Sequence, residues 1–304
     1  MASPAHAAPP APRTATDPAP PATPQSRPRL PAELLLGTDH HALPAEVIER
    51  FDDDPDFVTA LARGLAVLLS LSDRRRRMSI AQVSHLTGIP RAAARRSLHT
   101  LAKLGFVAID EHRRFYLRPR VLSFSHAYLS SSPIAVAAQP ILDRLGETLH
   151  EACSLAMLDG DEIVYLVRSS TSRIMSPSLN VGRRLPAYCT SVGLVLLAHL
   201  PPEELEAYLA RTRLHPYTEH TPATPDKVRA LVNAVHEKGY AYANQLMEPR
   251  ICTLAVPVRD AGGHYVAGIN VLVQGRLMSD DEMADRFLRP LQRAALELGA
   301  LLLP

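Results

Sequence analysis

Six residues between positions 91 and 103 carry side chains suited to a polyanion: Arg91, Arg95, Arg96, His99, Thr100 and Lys103. On a helix turning about 100° per residue, Arg91, Arg95, Arg96, His99 and Lys103 gather on one side, and Ala94, Leu98, Leu101 and Leu104 gather on the other. An arginine can bond guanine O6 and N7 together, so Arg91 and Arg95, near the helix start, are the candidates for base edges, with His99 in line behind them. Arg96, Thr100 and Lys103 suit phosphates. Further cations flank the stretch: Arg75 and Arg77 within the run at 74–77, and the pair Arg113–Arg114. Both flanks suit contact with a sugar-phosphate backbone. An isolated basic helix is more simply a solvated face, so the surrounding elements must decide.

Those elements come in a telling order. Val58, Leu61, Leu65, Leu68 and Leu69 recur at helical spacing, with Asp56 read as the cap. After the polar run 72–77, Ser79-Ile-Ala-Gln82 has the form of a capping box, with Ile80, Val83 and Leu86 facing inward. Gly88 suits a left-handed stop, and Pro90 opens the next helix. Gly105 closes it. Phe106–Asp110 and Phe115–Leu117 then flank a basic tip, which reads as a hairpin. Helix, short helix, basic helix and basic hairpin together are the order of a winged helix-turn-helix, here spanning 55–117. Its partner is double-stranded DNA.

Residues 118–132 read as a linker helix ended by Ser130-Ser-Ser-Pro133. Beyond it, 133–304 alternates helices (near 134–149, 191–199, 203–211, 226–238 and 279–302) with strands (152–158, 162–168, 240–244, 253–259 and 266–273). Asp159-Gly160 and Gly262-Gly263 supply turns. Strands paired by hairpins and mixed with helices predict an α+β fold. Residues 1–50, with ten prolines in the first 31, read as a disordered tail.

Composition narrows the function. Residues 57–129 hold 13 Lys/Arg against 3 Asp/Glu, a net +10; with +2 overall, the remainder carries −8. One segment is built to meet a polyanion and the rest is not. Three cysteines, Cys153, Cys189 and Cys252, are odd in number and far apart, which fits packing residues in a reducing, cytoplasmic compartment. No basic-then-apolar leader opens the chain, and no apolar run approaches the roughly 18 residues that span a bilayer. The 13 histidines show no metal-ligand spacing. No nucleophile elbow, phosphate-cradling loop or paired carboxylate is evident, so neither an enzyme nor a cofactor is expected.

The stretches Phe57-Val-Thr-Ala-Leu-Ala-Arg-Gly-Leu-Ala-Val-Leu and Ile89-Pro-Arg-Ala-Ala-Ala-Arg-Arg-Ser-Leu-His-Thr-Leu resemble the IclR family of bacterial transcription regulators. The likeness continues through His126-Ala-Tyr-Leu-Ser-Ser, Gln139-Pro-Ile-Leu-Asp-Arg-Leu, Leu185-Pro-Ala-Tyr-Cys-Thr-Ser and Leu254-Ala-Val-Pro-Val. It is nearest to the subgroup that controls protocatechuate and β-ketoadipate catabolism. The resemblance implies a GAF-like effector-binding domain behind the linker, self-association to dimers or tetramers on palindromic sites, and a small carboxylic or aromatic acid as effector. It also implies a pocket around Thr190-Ser191 and Cys252-Thr253, with Tyr188, Met175 and Asn244 as further candidates. The sequence departs from the subgroup at Leu194 (usually Arg or Lys), Asn244 (Asp), Leu246 (Glu), Arg250 (Gly) and Cys252 (Arg), which predicts a less charged, more apolar ligand. Two alternatives remain open: a C-terminal domain that only oligomerises, and a small-molecule enzyme with a fused DNA-binding module.

Overall fold

A computed structural model describes residues 45–72, 77–169 and 180–302. Most of the expected tail, together with Arg75 and Met175, lies outside the described residues.

The first unit is built from α1 (Ala45–Glu49), α2 (Thr59–Ser70), α3 (Ile80–Thr87), α4 (Arg91–Lys103) and the hairpin β1 (Val107–Ile109) and β2 (Phe115–Leu117). Its core joins Ile48, Val67, Val83, Ile89, Ala94, Leu98 and Phe115. Three local expectations are corrected. Residues 45–50 are not all tail, because Val47 and Ile48 are buried, Ile48 within this core. Asp56 does not cap α2, which starts at Thr59 after Val58 without a side-chain cap. The core of α2 is Ala66, Val67 and Ser70, whereas Val58, Leu61, Leu65 and Leu69 are exposed; Leu86 and Leu104 also face outward. Periodicity finds an apolar stripe without saying what covers it.

A 3-10 turn (Pro119–Val121) leads into α5 (Leu122–Ser131), none of whose residues is buried. Phe124 of α5 stacks on Phe106 with ring centroids 5.4 Å apart, and the Arg120 guanidinium lies over the same Phe106 ring. Ser132 ends α5 and starts α6 (Pro133–Leu149), where Pro133 costs no helical hydrogen bond.

The second unit is a six-stranded antiparallel sheet in the order β5-β4-β3-β8-β7-β6. Its strands are β3 (Ala152–Asp159), β4 (Glu162–Arg168), β5 (Arg184–Pro186), β6 (Ala241–Asn244), β7 (Ile251–Arg259) and β8 (Tyr265–Gln274). Both faces are covered. On one face α6 and α11 (Arg289–Leu301) pack over Cys252, Leu254, Val256, Ile269 and Val271. On the other, α7 (Ser191–Leu197), α8 (Pro202–Arg211) and α9 (Pro225–Lys238) pack over Tyr165, Ala243, Ala255 and Leu272. Alternation along β7 therefore assigns Cys252 and Thr253 to opposite layers. The last helix is interrupted: α10 (Asp280–Met283) passes through a π turn (Ala284–Leu288) into α11. Pro290 at the start of α11 cannot donate a backbone hydrogen bond, which accounts for the break.

Candidate functional site

The helix-turn-helix is held by local chemistry. Ser79 Oγ accepts from the Gln82 amide at 3.3 Å, and Gln82 Oε1 accepts from the Ser79 amide at 2.9 Å. Gly88 ends α3 at φ +70°, a conformation a side chain resists. In the turn, the Ser84 hydroxyl donates to the Ile89 carbonyl at 2.7 Å. Ala94 and Leu98 then seat α4 in the core at 0% exposure. This leaves Arg91, Arg95, Arg96, His99, Thr100 and Lys103 all exposed. No hydrogen bond or ion pair among the described residues uses the side chains of Arg91, Arg95, Arg96 or Lys103. The Thr100 hydroxyl donates to the Arg96 carbonyl at 3.0 Å, so it is engaged within its own helix.

The hairpin is shaped by Asp110. Its Oδ1 accepts from the Arg114 amide at 2.8 Å and the His112 amide at 3.0 Å, with Arg113 at φ +57° between them. The Arg114 amide is the largest cause holding the Asp110 carboxyl below its ordinary range. Arg113 and Arg114 stand exposed at the tip. Arg77 is drawn back to Asp110 at 3.2 Å, with its guanidinium over the Tyr116 ring. It braces the base of the hairpin.

The second unit holds a cavity partly open to solvent, with about 500 Å3 of space when its open mouth is included. Its floor is the sheet, with Tyr165, Thr253, Asn270 and Leu272. One wall is the start of α7, with Cys189, Thr190 and Ser191, and the other is Leu246, Met247, Glu248 and Ile251. Thr190 caps α7 by accepting from the Gly193 amide at 3.1 Å. Gly193 is obligatory there, since a Cβ would stand 2.0 Å from the Ala187 carbonyl oxygen. The wall segment Gln245–Arg250 has both ends in left-handed backbone, at φ +57° and +62°. The Thr218 hydroxyl donates to the Gln245 carbonyl and the Thr221 hydroxyl to that of Leu246, at 2.6 and 2.7 Å, which ties the segment down.

The cavity's polar groups are unusual in one respect. Ser191 Oγ and Asn270 Oδ1 are both buried and neither has a hydrogen-bond partner. Buried polar atoms are nearly always paired, so two in one cavity mark where a ligand's polar group would bond. Burial raises the Tyr165 phenol to about 12, against an opposing hydrogen bond from Asn270. Burial likewise pushes the thiols of Cys153 and Cys189 upward, which leaves both poorly reactive.

Of the residues chosen from sequence, Thr190, Ser191 and Thr253 line this cavity. Tyr188 does not: its hydroxyl bonds the backbone of His215 and its amide donates to Tyr208, so it anchors the turn before α7. Asn244 and Cys252 do not line it either. They are direct cross-strand partners between β6 and β7, with Sγ and Oδ1 3.5 Å apart, and Cys252 is packed in the layer beneath the sheet. An Asp and an Arg, which the resemblance implies at these two positions, would face each other as a charged pair; here the pair is neutral and lies outside the cavity lining. Leu246 is the one departure that lines the cavity; Leu194 is buried inside α7 without lining it. Tyr165, Asn270 and Glu248 escape a reading of the sequence because no motif announces them; Tyr165 and Asn270 meet through strand pairing, and Glu248 arrives on the segment between β6 and β7. Among the described residues no group of three potential metal ligands occurs, and no helix is long and apolar enough to cross a membrane.

Comparison with known proteins places this architecture. The IclR helix-turn-helix domain matches residues 60–111, and the bacterial transcriptional regulator IclR C-terminal domain matches 126–300. The Pca regulon regulatory protein of Pseudomonas putida is 44% identical over 272 residues, covering 89% of this chain and 93% of that protein. A crystal structure of a putative transcriptional regulator from Rhodococcus sp. RHA1 aligns with a TM-score of 0.69 at 39% identity, over 81% of this chain and 98% of that one. An inducer-binding domain of the PobR transcription factor from Acinetobacter, a double mutant in complex with 3-hydroxybenzoic acid, aligns with a TM-score of 0.52 at 28% identity, over 55% and 98%. With a capped helix-turn-helix bearing an outward basic face, an α+β sheet domain behind it, and both halves matched in order, the chain belongs to the IclR family of bacterial transcriptional regulators.

Proposed function

We propose that the chain reads a promoter through α4 and the hairpin, and changes that binding when a small aromatic or carboxylic acid enters the sheet-domain cavity. The proposed working units are the winged helix, the α5 linker and the effector domain. Arg91 and Arg95 read base edges, with His99 behind them; Arg96 and Lys103 hold phosphates; Arg113 and Arg114 meet the backbone from the hairpin. The observation that carries this reading is the row of exposed, unpaired cations on the face of α4 opposite Ala94 and Leu98. The relatives that regulate a Pca regulon or bind a hydroxybenzoic acid support control of aromatic catabolism in the cytoplasm.

The test is a footprint and mobility-shift series on the promoters flanking the gene. Arg91→Ala and Arg95→Ala should each cost about 1–3 kcal/mol on the true site and relax discrimination against altered base pairs. Undiminished, equally specific retention by the double variant would overturn the reading.

Two features bear on the alternatives. A domain that only oligomerises has no need of two unpaired polar atoms in a cavity. An enzyme would call for a reactive acid, base or nucleophile, whereas burial makes Tyr165 and Cys189 weaker acids. Self-association is supported by the exposed stripe Leu61, Leu65 and Leu69 on α2, with Val58 just before it and Leu122 and Phe124 of α5 exposed as well. Light scattering on the Leu61→Lys variant reads it as a loss of oligomer.

A further inference from the structure

We infer that Arg27 and Arg29 make a second DNA contact: an arm that runs from the start of α1 into the minor groove beside the major-groove site and favours A·T pairs there. The inference rests on the reading above that α4 lies on promoter DNA. It adds a contact that the winged helix itself does not supply.

The observation that carries it is where the chain joins the winged helix. α1 is held firmly at that point. Val47 and Ile48 are buried, Ile48 within the core, and Phe51 stacks on Phe57 with ring centroids 5.0 Å apart. Ala45, the first residue of α1, stands at the turn between α3 and α4: a Cβ on Gly88 would lie 3.3 Å from the Ala45 Cβ and 3.8 Å from the Ala45 nitrogen. Gly88 ends α3, and Arg91 begins α4 three residues later. The chain ahead of α1 is bonded to that nitrogen. It is therefore attached beside the base-reading end of α4, not behind the core.

Residues 1–44 lie outside the described residues, and their sequence supplies the chemistry. Between Asp17 and Glu33 the only charged side chains are Arg27 and Arg29, with Pro28 between them. A proline fixes its own φ and holds the residue before it to extended backbone, so an Arg-Pro-Arg stretch has less freedom to lose when threaded along a groove. Two extended residues span about 7 Å, or two base-pair steps of about 3.4 Å, so two guanidinium groups so spaced can follow one groove floor. Residues 30–44 tether the pair to Ala45 and reach about 50 Å when fully extended. The neighbouring minor groove lies about half a helical turn from the major-groove site, roughly 17 Å along the axis, so the tether is long enough. A·T-rich minor grooves are narrow and strongly negative, and the weakly hydrated guanidinium enters them at low desolvation cost.

The test uses the full-length chain and duplexes that carry the footprinted core between flanks of A·T, G·C or inosine·cytosine pairs. An inosine·cytosine pair keeps the major-groove face of G·C but lacks its minor-groove amino group, so it separates the two grooves. Anisotropy titration should find the G·C-flanked duplex bound about tenfold more weakly than the A·T-flanked one, with inosine·cytosine restoring most of the loss. The double variant Arg27→Ala, Arg29→Ala should bind all three duplexes equally, at the level the native chain shows on G·C. Hydroxyl-radical cleavage should show a protected minor-groove patch beside the core in the native complex and none in the double variant. Equal thermal midpoints verify that the substitutions leave the fold unchanged, and the comparison of flanks on the native chain needs no variant to fold. A native chain indifferent to its flanks, or a double variant that keeps the preference, overturns the inference. Binding that depends on Arg91 and Arg95 but not on the flanks removes only the arm and leaves the promoter reading standing. A native chain that retains no promoter fragment removes both.

Discussion

Ser191 and His199 show, at the scale of single residues, what burying a polar group costs the sheet domain. Ser191 Oγ is buried without a partner. An unsatisfied hydroxyl costs about 1–3 kcal/mol, so Ser191→Ala should stabilise the ligand-free chain by about 1 kcal/mol in urea unfolding while weakening effector binding. A variant that loses stability would show that the hydroxyl is already satisfied. His199, just beyond the end of α7, packs its ring 3.7 Å from that of Tyr265 and donates to the Val195 carbonyl through Nδ1 at 2.7 Å. Burial is the largest influence and holds its pKa below the ordinary 6.5; the nearby His236 and Arg259 push the same way, and the Val195 bond opposes them. The unfolded chain therefore takes up the proton first as pH falls. Stability tied to neutral His199 is complete above about 6.5 and is lost as pH drops through the lower folded value. Thermal midpoints between pH 8 and pH 5 should fall, and His199→Gln should flatten that slope.

At the scale of elements, the close crossing of α7 over the preceding 3-10 turn (Ala187–Cys189) positions the cavity wall. A Cβ at residue 193 would meet backbone, not a yielding side chain. Gly193→Ala should cost about 3 kcal/mol or more, since helix and turn must separate together; denaturant midpoints measure it. The helix-turn-helix is legible in the sequence because its signals are local. Ser79 and Gln82 cap each other, Gly88 takes the left-handed turn and Pro90 precedes α4, all within a dozen residues. The apolar faces are less legible. The same spacing that describes a buried stripe describes Leu61, Leu65 and Leu69, which stand exposed on α2. The cavity is half legible. Thr190 and Ser191 sit at a visible helix start, whereas Asn270 and Tyr165 are brought together by pairings across β4, β3 and β8, and Glu248 by the loop that joins β6 to β7, none of which any stretch of sequence displays.

At the scale of the whole molecule, the charge is partitioned: +10 lies within residues 57–129 and −8 elsewhere. The acidic remainder discourages a duplex from spreading beyond the winged helix. Promoter binding should therefore weaken steeply with salt, the logarithmic slope being about −0.9 for each phosphate neutralised. Removing both Arg113 and Arg114 should reduce that slope by about 2 per subunit while leaving base preference intact, and removing Arg91 should alter preference. Anisotropy titrations across a salt series, on the promoter and on a scrambled duplex, separate the two effects. An unchanged slope would place the hairpin away from the DNA.

Asn244 and Cys252 face each other across two strands. For substitution this makes them one character written at two sites. A variant given only the acid (Asn244→Asp), or only the guanidinium (Cys252→Arg), strands a lone ion beside the protein interior, and removing one half of such a pair leaves the other uncompensated. Passage in either direction is smooth only when both positions change, or when a third residue tolerates the intermediate. The effector cavity, which neither side chain lines, is free to drift in preference without waiting for that exchange.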